Sequence, residues 1–175
     1  EGLNYGPKKI TVSTAGIANK IPDAAKEIGT YLALSLHAPT DDIREMIMPI
    51  NKKFKIKNLI EQCKYYSSVV KEKITLEYVM LRNINDSIEC AKQLVKLMAQ
   101  FPCKVNLIEF NPWPGVQYLP TERVEMEKFG KIIQDAGYVA TIRRSRGQDI
   151  LGACGQLRTE SEKKKYTYLI IILTG

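Results

Sequence analysis

Cys154 stands between Ala153 and Gly155, with Gly152 one step earlier. Small neighbours leave this thiol open to close approach by a large planar partner. Arg143, Arg144 and Arg146 precede it in the same run. Cations favour the thiolate, which is the nucleophilic form, and they attract phosphates. The same residues also fit a buried structural cysteine beside a solvated basic turn, because free cysteine packs as a small hydrophobe. The residues alone leave both readings open. Ordinary nucleophilic catalysis by Cys154 is the weaker option, since no base is legible near it.

A second set of polar groups emerges once the elements that must position them are drawn. Apolar and β-branched runs at 10–14, 31–37, 74–81, 105–110 and 138–142 read as strands. Amphipathic segments separate them: a short helix from Pro22, another behind Thr40 as N-cap and Asp41 and Asp42 in its first turn, and a longer one carrying Ile56, Leu59, Ile60 and Cys63. A helix follows Asp86, which with Glu89 resembles a capping box, and its stripe runs Ile88, Ala91, Leu94, Val95 and Met98. The last begins at Thr121, with Val124, Phe129, Ile132, Ile133 and Ala136 inward and Gly137 as its stop. This alternation predicts an α/β chain built on a parallel sheet. In such sheets ligands sit at the carboxyl ends of the strands.

Side chains two apart share a face of a strand. Thr11 and Ser13 therefore share one face of the first strand, Ser35 and His37 one face of the second, and Thr75 and Glu77 one face of the third. Leu32, Leu34 and Leu36 take the opposite face; Asn111 follows the fourth strand and Arg143 closes the fifth. Polar groups late along otherwise apolar strands predict a ligand site. Each also has a plainer role: His37 as a hydrogen-bonded structural residue, Glu77 paired with a buried cation or donor, Ser13 and Ser35 bonded to backbone, Asn111 starting a turn, and Trp113 as a packing lid.

The 175 residues suit one domain or a part of a larger one, and the net charge of +7 points toward an anionic partner such as nucleic acid. Cys63, Cys90, Cys103 and Cys154 are too widely spaced for a disulfide framework or a close metal-ligand motif, which fits a reducing cytosol. No apolar run is long enough to span a bilayer. The first residue is Glu, and a missing amino-terminal part is expected. Lys52, Lys53, Lys55 and Lys57 read as a solvated face, as do the lysines at 163–165. Residues 1–165 read as one unit. The apolar tail at 166–175 contains YTYLIIIL, an extra strand or an unrelated extension, and an aggregation liability if exposed.

Six motifs occur in order: VSTAGI at 12–17, SLHAP at 35–39, MPINKKF at 48–54, EYVML at 77–81, NLIEFNPWPG at 106–115 and IRRSRGQDILGACGQL at 142–157. Together they resemble the carboxyl-terminal part of the RlmN family, dual-specificity radical SAM methyltransferases of ribosomal and transfer RNA, over about residues 3–165. The resemblance implies a partial parallel (βα) barrel of the radical SAM type, lacking its amino-terminal strands. It also implies methylation of adenine C2 in 23S rRNA and tRNA. In that chemistry a cysteine takes a methyl group from one S-adenosylmethionine (SAM), a second SAM is cleaved at a 4Fe–4S cluster, and the adenosyl radical activates the methyl group for addition to the electron-poor carbon. The methyl-carrying cysteine falls on Cys154, and SAM-contacting positions fall on Ser13, on Ser35, Leu36 and His37, and on Asn111.

The sequence departs from the family pattern in three respects. The CxxxCxxC triad that holds the cluster is absent from these residues, as are the GEP motif, the releasing cysteine and the proposed base. Glu109 stands where many relatives have Pro, and the YLIIIL tail has no counterpart. The chain is thus expected to be an incomplete catalytic half, inactive alone and completed by an upstream part, encoded in frame or separately. The alternatives are a non-catalytic RNA-binding fragment and the sister family that methylates C8 of the same adenine. A cytoplasmic setting, 23S rRNA and tRNA as partners, and no membrane association follow from the resemblance.

Overall fold

A computed structural model describes residues 11–27, 30–112, 114–143 and 169–172. Five strands and five α-helices succeed one another along the first three of these segments, with two of the helices between the second and third strands. They are β1 (Thr11–Thr14), α1 (Ile21–Glu27), β2 (Tyr31–Ser35), α2 (Asp41–Ile47), α3 (Ile56–Val70), β3 (Ile74–Met80), α4 (Ile88–Met98), β4 (Cys103–Glu109), α5 (Arg123–Asp135) and β5 (Ala140–Arg143). A sixth strand, β6 (Leu169–Ile172), lies within the apolar tail.

The sheet order is β5-β4-β3-β2-β1-β6. Each of β1 to β5 pairs in parallel with its sequence neighbour, while β6 runs antiparallel along β1. Consecutive βα units laid side by side are the construction of a parallel barrel, here as an open arc of α/β type.

Period-two alternation divides the sheet. Leu32, Leu34, Leu36, Ile74, Leu76, Tyr78, Met80, Val105 and Leu107 are buried in one core with helical residues such as Leu59, Tyr66, Ala91, Leu94, Phe129 and Ile133. The intervening residues Ser13, Tyr31, Ser35, Thr75, Glu77 and Asn106 are only half-buried, and Lys104, Thr141 and Arg143 are exposed. Helices therefore cover one face of the sheet and leave a polar face open. At the centre of the core, Tyr78 and Phe129 meet with ring centroids 5.4 Å apart, and truncating a buried Phe of this kind to Ala costs about 3–5 kcal/mol.

Several local readings shift. The second strand ends at Ser35 rather than at 37, because His37 takes a left-handed backbone with φ 59°. The helix after Asp86 is capped one residue later: the Ser87 hydroxyl accepts from the Cys90 amide, while Asp86 accepts from the Asn83 amide and the Thr121 hydroxyl. Thr121 consequently sits before α5, and Glu122 occupies its N-cap position. Thr40 holds the N-cap position of α2 without a side-chain bond. Ile88 and Val124 are exposed rather than inward. At 100° per residue, Ile88 falls about a quarter turn from the Cys90–Ala91–Leu94–Met98 stripe, and Val124 lies opposite the Met126–Phe129–Ile133 stripe.

Candidate functional site

The carboxyl ends of β1, β2 and β3 are held together by buried polar side chains. Arg44 has no exposed surface. Its Nε donates to the Leu36 carbonyl at 3.0 Å, Nη1 to Asn51 Oδ1 at 3.0 Å, and Nη2 to the carbonyls of Ala15 and Ser35 at 2.9 and 3.1 Å. A single guanidinium thus joins the segments that follow β1 and β2. Asn51 passes the connection on, donating to Asp41 Oδ1 at 2.8 Å, and that carboxylate also accepts from the Ile56 amide at 2.9 Å. Burial lowers the Arg44 pKa to about 10, against the opposing pull of Asp41, so the group remains a cation at neutral pH.

Gly16 makes this arrangement possible. Its φ is +95°, a conformation that side chains disfavour, and a Cβ there would lie 2.7 Å from Arg44 Nη2. The MPIN run places Asn51 beside the arginine, but a sequence pattern alone does not separate a buried Arg from a surface one.

Asn85, also fully buried, does the same work between β2 and β3. Its Nδ2 donates to the carbonyls of His37 and Val79 at 2.7 and 2.8 Å, and its Oδ1 accepts from the Leu81 amide at 2.7 Å. The Asn85 carbonyl accepts from the Tyr78 hydroxyl at 2.7 Å. His37 is hydrogen-bonded as its plainer reading anticipates: Nδ1 accepts from the Val79 amide at 3.1 Å. Burial, then the charge of Arg44, lowers its pKa to about 4.

On the open face, Ser35, Glu77, Asn106 and Thr141 lie in one row across four strands, because the register pairs Ser35 with Glu77, Glu77 with Asn106 and Asn106 with Thr141. Three of the four are connected through their side chains. The Thr141 hydroxyl donates to Asn106 Oδ1 at 2.5 Å, which turns the amide so that Nδ2 donates to Glu77 Oε1 at 3.1 Å. Glu77 has found a donor rather than a close cation. Burial raises its pKa, while the Asn106 hydrogen bond and the more distant Arg143 and Lys104 pull it back. Asn106 and Thr141 escaped the sequence reading, although the alternate-residue rule would have set Asn106 on the face of Glu77.

Of the sequence-derived positions, Ser13, Ser35 and His37 lie on or beside the open face at the ends of β1 and β2, and Asn111 follows β4, half-buried. Leu36 differs. Its side chain is fully buried in the core, its amide donates to the Glu77 carbonyl, and its own carbonyl accepts from Arg44. Any contact it makes with a ligand runs through backbone. Cys154, Trp113, Arg144 and Arg146 lie outside the described residues.

The donor set at the strand ends fits a polar nucleoside ligand: hydroxyls, an amide, a carboxylate and an imidazole face one edge of the sheet. It does not fit an iron–sulfur cluster. Cys63, Cys90 and Cys103 are buried, and among the described residues no group of three or more His, Cys, Asp or Glu could hold a metal ion.

The chain matches no family model. It is 50% identical over 168 residues to the dual-specificity RNA methyltransferase RlmN of Agrobacterium fabrum, covering 95% of this chain and 41% of that protein. The chain resembles the carboxyl-terminal part of the RlmN proteins. A crystal structure of a radical SAM methyltransferase from Sphaerobacter thermophilus superposes with a TM-score of 0.85 at 40% identity, covering 89% of this chain and 46% of that one. The fold is shared more widely: a domain of a pyruvate-formate lyase-activating enzyme from Bacteroides vulgatus gives a TM-score of 0.61 at 12% identity. The chain spans about two-fifths of the length of the curated RlmN relatives it matches. The barrel arc expected from the motifs is the arc observed.

Proposed function

We propose that this chain is the SAM-holding part of a radical SAM RNA methyltransferase acting on adenine C2 in 23S rRNA and tRNA. The observation that carries the reading is a coincidence of place. Ser13, Ser35, His37 and Asn111, picked out by RlmN-like motifs, lie at or just beyond the carboxyl ends of β1, β2 and β4 in one parallel sheet, the end at which sheets of this type take their ligands. Bound there, SAM supplies the methyl group. Ser13, Ser35 and Asn111 offer hydrogen bonds to its polar groups, and Arg44 and Asn85 fix the backbone on which Ser35 and His37 ride.

Cys154 is the thiol that carries the methyl group before it passes to adenine. The ligands of the 4Fe–4S cluster are assigned to the part of the family's length that this chain does not span, since the described residues offer none. The substrate RNA approaches the open face, whose exposed Lys104 and Arg143 suit a phosphate backbone. A cytoplasmic setting goes with the likeness to RNA methyltransferases. Among the described residues no helix is long and apolar enough to cross a membrane.

Calorimetric titration of SAM into the full chain tests the site. Ser35→Ala and Asn111→Ala should each weaken binding about tenfold, the scale of one lost hydrogen bond to a charged ligand. Undiminished binding in both variants would place SAM elsewhere. The regiochemistry is tested by supplying the chain with the remaining part of the family's length and analysing RNA nucleosides by mass spectrometry. 2-Methyladenosine supports the proposal and 8-methyladenosine assigns the chain to the sister reaction. RNA binding without either product supports the non-catalytic alternative.

A further inference from the structure

His37 is the chain's sole histidine, and its surroundings specify more than a contact. The parallel ladder between β2 and β3 ends at Ser35 and Glu77. Beyond it the amides of Leu36 and His37 both turn onto the Glu77 carbonyl, at 3.1 and 3.2 Å. His37 then adopts its left-handed backbone, so β2 offers no strand carbonyl to the next free amide of β3. The imidazole takes that place, with Nδ1 3.1 Å from the Val79 nitrogen.

A backbone amide can only donate, so Nδ1 must present a lone pair and the ring proton must sit on Nε2. Nε2 has no hydrogen-bond partner among the described residues, and the residue is half-buried rather than sealed. The backbone conformation is held from the other side: Asn85 Nδ2 donates to the His37 carbonyl at 2.7 Å. The orientation of that amide is unambiguous, because its oxygen faces the Leu81 amide and its nitrogen faces two carbonyls.

We infer that His37 is a permanent hydrogen-bond donor rather than an acid–base group, locked as the Nε2–H tautomer by the Val79 amide and by Asn85 as a positioning residue, and that it presents this donor to an acceptor atom of the bound nucleoside. The nucleoside part rests on the proposed SAM site; the tautomer does not. The surrounding groups agree. β3 contributes an amide and a carbonyl, the turn after it contributes the neutral Asn85, and α2 contributes the cation of Arg44, which opposes a second positive charge on the ring. Protonation of Nδ1 would also break its bond to Val79. The donor thus suits a lone pair on a heteroaromatic base or a carboxylate oxygen, and it stays in place through any pH at which the enzyme would work.

Long-range proton–nitrogen correlation NMR on the ¹⁵N-labelled full chain tests this, because one histidine gives one imidazole pattern. The expected result is a pyrrole-type Nε2 and a pyridine-type Nδ1 at neutral pH, unchanged down to about pH 5. The opposite tautomer, a mixture, or a titration midpoint near the ordinary value of about 6.5 would overturn the inference. Asn85→Ala should produce a mixed tautomer and restore titration. A variant that lost only thermal stability, with the imidazole pattern unchanged, would remove Asn85 as a positioning residue. Should Asn85→Ala not fold, Asn85→Asp keeps the acceptor for Leu81 and loses both donors, and the same readout applies.

Titration with S-adenosylhomocysteine supplies the ligand arm. Calorimetric binding with a shift confined to the Nε2 side of the ring supports the donor role. Binding that leaves Nε2 unmoved overturns that role and leaves the SAM site standing. Absence of binding overturns the site and the donor role together.

Discussion

Glu77 carries a cost that its neighbours only partly offset. Its pKa is raised above the ordinary 4.5. Above that pH the folded chain binds more protons than the unfolded one, so stability falls as pH rises through the window. Glu77→Gln keeps an acceptor for Asn106 and removes the charge. It should raise the unfolding midpoint at pH 7 and leave it unchanged below about pH 4, as measured by thermal denaturation. His37 acts in the opposite sense. Its folded value of about 4 lies below the ordinary 6.5, so stability is highest above 6.5 and declines as pH falls toward 4. Comparing urea denaturation of wild type and His37→Gln at pH 7 and pH 4.5 isolates that loss, which the variant lacks. Among the cysteines, burial pushes Cys63 and Cys103 up to about 12, and Cys90 is 6% exposed. Iodoacetamide at pH 8 should therefore label Cys154 first in the native chain, as peptide mass spectrometry would show; Cys154 reacting last would return it to a structural role. Glu77 was legible because alternation along an apolar strand exposes a misplaced polar residue, whereas the same rule put His37 on a strand that ends two residues before it. Arg44 and Asn85 were not legible, because their role depends on carbonyls that converge only after β1, β2 and β3 are aligned.

At the scale of elements, the order and type of the five described α-helices and the first five strands followed from periodicity together with proline and capping signals, while their ends moved with hydrogen bonds that these signals do not contain; the short 3-10 turns at Ala18–Lys20 and Pro49–Lys52 were not foreseen. Asp86 and Ser87 show why. Either can cap a helix, and the choice went to Ser87 because Asp86 is engaged by Asn83 and Thr121 in the turn that leads toward α5. Ser87→Ala should cost about 1 kcal/mol in urea denaturation, the usual loss for an N-cap. A larger effect is expected from Asp86→Ala, which frees donors on two separate segments. The turn after β1 is constrained more tightly. Gly16→Ala meets both a positive φ and the Arg44 guanidinium, so it should destabilise the chain by about 1–3 kcal/mol. It should also weaken SAM binding, because the displaced arginine holds the Ser35 and Leu36 carbonyls.

The whole molecule was legible as a class: four βα units and a fifth parallel strand with short connections leave little besides a parallel sheet curving toward a barrel. Its surface charge was legible only in sign. The net +7 should give RNA binding that weakens steeply between about 50 and 200 mM salt. Arg143→Ala combined with Arg144→Ala and Arg146→Ala should flatten the salt dependence in filter-binding titrations. The strand in the tail was the least determined feature, since an apolar run specifies no partner. It pairs Thr14 with Leu169 and Thr11 with Ile172, joining positions about 155 residues apart in the chain. Closing a loop of that length costs several kcal/mol in chain entropy, on the order of (3/2)RT ln n, against only four residue pairs gained. As the protein emerges from the ribosome, β1 can join β2 within a few turns of chain, yet its outer edge must wait until residues 169–172 have been made. Completion of that edge therefore follows synthesis of β1 to β5, and during the interval before it any extended segment nearby competes for the same backbone groups.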